Sequence, residues 1–221
     1  MKTALTLLLA LSALLPALSA QSLIVDDPFD SKGGWTNLSR DPQGWWPGEK
    51  GSAGLTPKAG SSFFSLSYNN EWQRLVKRFD AASFTADGRK QFGGGNNFAI
   101  LPGTYELTVY VGLGDGDYSF SGAENYNVLL TAGGDEWKSG VAATSSVKKP
   151  APRSGAWVEW TFTFVIDKNT RTKNGDVVIG QPLGAHIALR GKWSKNGNEN
   201  GYIAADGFKL KYTPPSGSSK L

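Results

Sequence analysis

The sequence predicts an all-β protein, a two-sheet antiparallel jelly-roll β-sandwich, and three observations carry that expectation. Residues 104–112 (TYELTVYVG) and 157–166 (WVEWTFTFVI) alternate apolar and polar side chains. Period two sustained over that length marks a half-buried strand. Clusters of Gly, Asn, Asp and Ser separate further short strand-like runs, the spacing expected of sandwiches and barrels. No window offers a convincing amphipathic helix, so helix-covered sheets are not expected.

In chain order, the first segment lies outside the fold. Lys2 precedes an apolar run over 4–15, and small residues follow at Ala17, Ser19 and Ala20. That order reads as a secretory signal peptide over 1–20, cut after Ser19 or Ala20, and the run is too short to span a bilayer. Secretion, extracellular or periplasmic, is therefore expected. Residues 21–212 form one sandwich domain, with a possible edge strand at 23–25 and candidate strands at 63–68, 72–79, 126–131, 177–179, 185–190 and 208–212. Over 71–79 a helix is the rival, because Trp72, Leu75, Val76 and Phe79 also fit helical spacing; strand is preferred for its short length and extended neighbours. Residues 104–112 should bury Tyr105, Leu107, Val109 and Val111, and residues 157–166 should bury Val158, Trp160, Phe162, Phe164 and Ile166. Residues 213–221 (TPPSGSSKL) read as a flexible C-terminal tail.

Composition narrows the function. The 221 residues include no cysteine, which removes thiol catalysis and Cys-ligated zinc and leaves an exported fold without disulfides. Loss of Lys2 takes the formal charge from +4 to about +3, a mild excess with no dense Lys/Arg run, so a nucleic-acid partner is not expected. No later stretch is apolar enough to span a membrane. Eight Trp and an aromatic share of 12% are the unusual figures.

Several short motifs occur in a telling order: Asp26-Asp27-Pro28-Phe29-Asp30, then Gly34-Trp35, Trp72-Gln73-Arg74-Leu75, Leu101-Pro102-Gly103-Thr104-Tyr105, and Ala205-Asp206-Gly207-Phe208-Lys209-Leu210. This order resembles the galactose-binding-like jelly rolls, including carbohydrate-binding modules of secreted bacterial glycoside hydrolases. The middle, Asn127-Val128-Leu129-Leu130-Thr131-Ala132-Gly133-Gly134 and Gly180-Gln181-Pro182-Leu183, is similar to secreted bacterial domains of the PEP-CTERM and Stig-cyclase type. The resemblance covers nearly all of the chain after residue 20. Two features depart from it: the usual C-terminal sorting helix is missing, and Gly207-Phe208 stands where Asn-Val or Asp-Val is usual. The bacterial host that the resemblance implies would leave the sequon Asn37-Leu38-Ser39 without meaning.

The resemblance implies a structural calcium where the first and last strands meet, with Asp30 and Asp206 as its carboxylates. Calcium takes six to eight oxygen ligands, so backbone carbonyls would complete the shell. The alternative makes both ordinary turn aspartates, one capping a loop and one accepting backbone amides. Asp115-Gly116-Asp117 looks calcium-like in miniature but lacks the closing Glu of the full loop.

Sugar rings present apolar C–H faces that stack on exposed aromatic rings, while rim amides and carboxylates hold the hydroxyls. Trp45 and Trp46 lie in a Gly/Pro loop, Trp137 in a polar stretch after Gly133-Gly134, Trp193 in the amide-rich run 191–201, and Tyr118 in a Gly/Asp loop with Phe120. These are the candidate ligand-binding residues. Either indole of Trp45-Trp46 is equally able to fold over the sandwich end and close the core. Trp35, Trp72, Trp157 and Trp160 are assigned to packing.

Catalysis has less support. His186 is the single histidine and reads as a surface or inter-sheet residue facing away from Ile187 and Leu189. There is no G-x-S-x-G elbow and no zinc-binding His pair. Glu106, Glu124, Glu136, Glu159 and Glu199 offer no pairing that sequence alone selects for a glycosidase. The expected function is non-catalytic binding of a polysaccharide or surface glycan. The alternatives are a small secreted enzyme of cyclase or carbohydrate-active type, using a pocket carboxylate, and a structural envelope or matrix protein.

Overall fold

In a computed structural model, residues 20–29, 34–37, 54–66, 72–114, 126–134, 137–141, 146–190 and 203–216 are described. Within them, Ser22–Asp27 (β1), Thr36–Asn37 (β2), Phe64–Leu66 (β3), Trp72–Arg78 (β4), Gly103–Leu113 (β5), Tyr126–Ala132 (β6), Ser146–Lys148 (β7), Ala156–Ile166 (β8), Leu183–Arg190 (β9) and Ile203–Thr213 (β10) are strands. They form a two-sheet antiparallel jelly roll. The six-stranded sheet runs β1-β10-β5-β8-β7, with β3 also paired to β10, and the four-stranded sheet runs β2-β4-β9-β6.

The two long alternating segments become β5 and β8, paired along their whole length from Gly103↔Ile166 to Leu113↔Ala156. Tyr105, Leu107, Val109, Val111, Trp160, Phe162, Phe164 and Ile166 are buried. Val158 is only half-buried at the margin of the core. Leu75, Val128, Leu130, Ala185 and Ile187 face them from the other sheet in the same cluster. Residues 72–78 are a strand, because Trp72 to Arg78 pair continuously with β9 and a helix would leave that edge unpaired.

Two motifs acquire physical reasons. Tyr105 sends its hydroxyl back to the Leu101 carbonyl (2.8 Å) and receives the Leu101 N–H (3.0 Å), so Leu-Pro-Gly-Thr-Tyr is a self-tied opening to β5. In β10 the pairing with β5 slips between Asp206 and Lys209, a bulge at which Gly207 adopts φ 58°. Asn, Asp and Gly are the residues that tolerate this left-handed conformation, which explains how Gly-Phe replaces Asn-Val. Beside the bulge β10 changes neighbours, pairing β3 through Ala205 and β1 from Phe208 onward.

The structure corrects the expectation that no helix is present. Ala86–Phe92 forms α1, capped by the Thr85 side chain, which accepts from the Gly88 N–H. The helix is tied to β1 by Thr85 N–H to the Ile24 carbonyl (2.9 Å) and Thr85 Oγ1 to the Leu23 carbonyl (2.6 Å). It escaped pattern reading because its seven residues bury only Gly88 and Phe92. A second correction concerns 177–179, where only Val177 pairs, through one bridge to Arg171. Its side chain is 52% exposed, so the apolar run is a hairpin edge. The short strands β2 and β7 were also not anticipated. Trp157 packs, as expected, but on the outer face of the six-stranded sheet, against a small cluster of Leu55, Phe63 and Ala204.

Candidate functional site

Among the described residues, the inner faces of both sheets are filled by the core. The outer face of the four-stranded sheet alternates with the core positions. It carries Arg74, Val76 and Arg78 from β4, Asn127, Leu129 and Thr131 from β6, and His186 and Ala188 from β9. His186 lies at its centre, in register with Val76 on one side and Leu129 on the other. It faces away from Ile187, as the alternation requires, yet it is buried at 1% exposure. Burial first, then the charges of Arg74 and Lys173, lowers its pKa to about 4, so the ring is neutral near pH 7. Lys173 belongs to the hairpin at 171–177, which continues this sheet through Val141↔Thr172 and Lys173 N–H to the Gly140 carbonyl (2.9 Å).

Four connections carrying Trp45, Trp46, Tyr118 and Trp193 leave from one end of the sandwich. Leu66, Leu113 and Ile203 are in register in one sheet. Trp72 and Arg190 are partners in the other, with Tyr126 beside Leu189. These are the same end of the molecule. Six residue steps join Leu66 to Trp72 and reach at most about 20 Å. Running the length of β4 and crossing the sandwich would need roughly 30 Å. Residues 38–53, 67–71, 115–125 and 191–202 therefore all attach at this end. Trp45, Trp46, Tyr118 and Trp193 lie within them and outside the described residues. Trp137 does not share this attachment: it opens a 3-10 turn, Trp137–Ser139, after the opposite end of β6.

A lateral cleft of about 420 Å³ opens where β1 and β4 approach, lined by Asp26, Asp27, Pro28, Gly34, Lys77, Arg78, Asp80, Ala82 and Ser83. Its buried charges are committed to the fold. Asp27 accepts from Lys77 Nζ (2.7 Å), Trp35 Nε1 (2.9 Å) and the Phe29 N–H (3.0 Å). Phe29 stacks on Trp35 with centroids 5.1 Å apart. This explains the Asp-Asp-Pro-Phe motif followed by Gly-Trp: the carboxylate and the indole it binds form one unit. Asp80 is held below its usual range chiefly by the Ser83 hydroxyl. Sequence reasoning quoted this motif without seeing that Asp27 is its centre, because its cation, Lys77, comes from another strand.

Asp206 is fully buried. Its Oδ2 accepts the N–H groups of Lys58 (2.6 Å) and Ala59 (2.9 Å), pinning the segment at 54–63 across the outer face of the six-stranded sheet. Asp30 lies outside the described residues. Among the described residues no three His, Cys, Asp or Glu side chains converge.

The two packed antiparallel sheets define the class: a jelly-roll β-sandwich. The chain belongs to the HpiC1-like family, whose model, described as HpiC1 cyclase, matches residues 25–192. No curated protein matches it. Among solved structures, a Stig cyclase from Fischerella sp. TAU in complex with an indole compound is 18% identical, with 90% of this chain and 92% of that one covered at a TM-score of 0.49. The CBM22-1-GH10 modules of a Clostridium thermocellum xylanase, complexed with xylohexaose, are 13% identical over 86% of this chain and 28% of that one, at a TM-score of 0.46. The N-terminal cellulose-binding domain of a Cellulomonas fimi glucanase is 14% identical, with coverage of 82% and 90% and a TM-score of 0.37.

Proposed function

We propose that this protein is a secreted, non-catalytic binder of a polysaccharide or surface glycan. The site is the loop-bearing end of the sandwich together with the adjoining outer face of the four-stranded sheet. One observation carries the reading: four connections bearing Trp45, Trp46, Tyr68, Tyr118, Phe120, Trp193 and Tyr202 attach at one end. Aromatic residues in these connections would supply the stacking surfaces, and Asn127 on the adjoining face would hold hydroxyls.

The test is titration of the purified protein with xylan, mannan, cellulose oligosaccharides and polyuronates, read by Trp fluorescence. Saturable binding that weakens at least about fivefold in the W45A/W46A or W193A variant supports the site, because loss of one stacking platform removes about 1–3 kcal/mol. Absence of binding to every glycan overturns the reading.

The family match favours a second reading, a cyclase acting on a small apolar substrate. Such an enzyme needs an acid in its pocket. Two buried carboxylates among the described residues, Asp27 and Asp206, accept N–H groups of the fold, so the acid of that reading would come from elsewhere. Incubation with an indole-bearing alkene followed by mass-neutral product analysis separates the two: turnover supports the cyclase, and its absence together with glycan binding supports the binder.

A further inference from the structure

We infer that a second glycan-binding surface lies on the outer face of the six-stranded sheet, where Trp157, Glu159, Tyr110, Thr108 and Thr161 form a shelf for a chain of uncharged sugar units. This rests on the glycan-binding reading and adds to it a second surface and a ligand class. Trp157 anchors the shelf. A Cβ on Gly112, its partner in β5, would lie 2.7, 2.8 and 3.0 Å from three adjoining atoms of the indole's six-membered ring. Such near-equal distances place the glycine against the face of the ring, not its rim, so the indole lies flat on the sheet. Its Nε1 donates to the Thr56 carbonyl (2.8 Å), and Phe63 meets it edge-on with centroids 5.4 Å apart. Part of Trp157 stays exposed. An indole fixed in one pose and still reached by solvent stacks on a sugar ring with little ordering left to do.

Alternation sends Glu159 and Thr161 of β8, and Tyr110 and Thr108 of β5, to the same face as two cross-strand pairs, Tyr110↔Glu159 and Thr108↔Thr161. Glu159 is exposed and the other three are half-buried. Same-face residues of one strand stand about 6.7 Å apart, so the row Trp157, Glu159, Thr161 runs for about 13 Å, longer than one pyranose ring. Glu159 accepts the Tyr110 hydroxyl, whose pKa is raised by burial first and then by that carboxylate. A carboxylate holds more lone pairs than one such bond uses, and a threonine hydroxyl both donates and accepts. Beyond the indole the row therefore offers the mixed donors and acceptors that sugar hydroxyls need. It begins one residue from Leu113 and Ala156, at the end of the sandwich from which the aromatic connections leave.

The charges favour an uncharged ligand. Glu159 stands in the middle of the row, and buried Asp206 acts on Tyr110. Against them are Lys58, 5.5 Å from the Tyr110 ring centroid, and Lys148, across from Thr161 in β7. Lys209 and Lys211 face Asp26 at 3.8 Å and Glu106 at 3.0 Å. A surface with no net sign draws no ion, and an anionic sugar next to Trp157 would meet Glu159 first. A protein partner would need a desolvated apolar centre. Among the described residues the exposed large apolar side chain of this face is Val165, toward the other end of β8.

The experiment titrates the purified protein with xylan and mannan oligosaccharides and with polygalacturonate, by calorimetry. A neutral oligosaccharide should bind at least about tenfold tighter than polygalacturonate, because like charges placed together are costly. Trp157→Ala should weaken that binding at least about fivefold. Because Trp157 also packs on Leu55 and Phe63, two surface variants decide the matter if that one fails to fold. Glu159→Ala should weaken binding severalfold, and Thr161→Arg, which plugs the shelf, should do so at least as strongly. The indole N–H signal of Trp157, identified by its loss in Trp157→Phe, should shift on saturation. Unchanged affinity in Glu159→Ala and Thr161→Arg, with W45A/W46A still weakening binding, overturns the shelf and leaves the glycan reading standing. Tighter binding of polygalacturonate than of either neutral ligand also overturns it. Binding of no glycan overturns both.

Discussion

The ammonium of Lys77 lies 2.7 Å from the carboxylate of Asp27, and this pair bridges the two sheets at the open side of the sandwich. Lys77 comes from β4 in one sheet and Asp27 from β1 in the other. The ammonium also sits 5.9 Å from the Trp35 ring centroid, so charge, indole and carboxylate form one buried cluster. Removing the cation alone strands a buried carboxylate, which typically costs about 3–5 kcal/mol. Lys77→Met should therefore lower the urea-unfolding free energy by about 3 kcal/mol. The double variant Asp27→Asn/Lys77→Met should lose less than the sum of the two single changes.

His186 sets a pH dependence of stability. Its folded pKa is about 4 against an ordinary value of 6.5. Between those values the unfolded chain binds a proton that the folded protein refuses, so stability falls as pH drops from 6.5 toward 4. The full difference corresponds to about 3 kcal/mol. Chemical denaturation at pH 7.5 and 4.5 should show this decline, and His186→Gln should flatten it. An equal slope in the variant would assign the acid sensitivity to other groups.

Gly88 in α1 is a close-contact position. A Cβ there would lie 2.5 Å from the Ile24 carbonyl oxygen and 2.8 Å from the Phe84 ring. Alanine improves helix propensity by about 1 kcal/mol, yet the clash is with strand backbone that cannot yield. Gly88→Ala should destabilise by about 1–3 kcal/mol, seen as a lower melting temperature. A rise would show that α1 is free to move away from β1.

Asp206→Ala removes the acceptor of two backbone amides and should cost about 2–4 kcal/mol by urea unfolding. The same variant tests the calcium that the family resemblance implies between Asp30 and Asp206. If that ion binds, EGTA lowers the wild-type melting temperature and leaves Asp206→Ala unmoved. Equal wild-type melting in calcium and in EGTA removes the ion.

Much of the frame was legible because β5 and β8 obey a strict two-residue period, and their buried sets match the alternation apart from half-buried Val158 at the core's margin. The Trp72–Arg78 strand was distinguishable from a helix only by its short length and extended neighbours, and its pairing with β9 settles it. α1 was hidden because one phenylalanine makes no periodic stripe; the Thr85 cap was its only local signal. The acidic motif at 26–30 was visible, but the role of Asp27 was not, since Trp35 and Lys77 reach it from later in the chain. The surroundings of His186 were unreadable for a similar reason. Arg74 and Lys173 stand far apart in sequence and meet only through pairing, and His186 reveals their field only because it is buried among them.

The change of partner along β10 has a kinetic consequence. Ser22 of β1 pairs with Tyr212, 190 residues away, while β5 waits on the other flank of β10. The six-stranded sheet is therefore three separate pieces, β1, β3 and β5-β8-β7, until residues 203–213 dock between them. Contacts of such high separation make folding slow, and a ribosome that has not yet released this strand holds a chain with an open seam. Such a topology suits folding that waits until residues 203–213 are available.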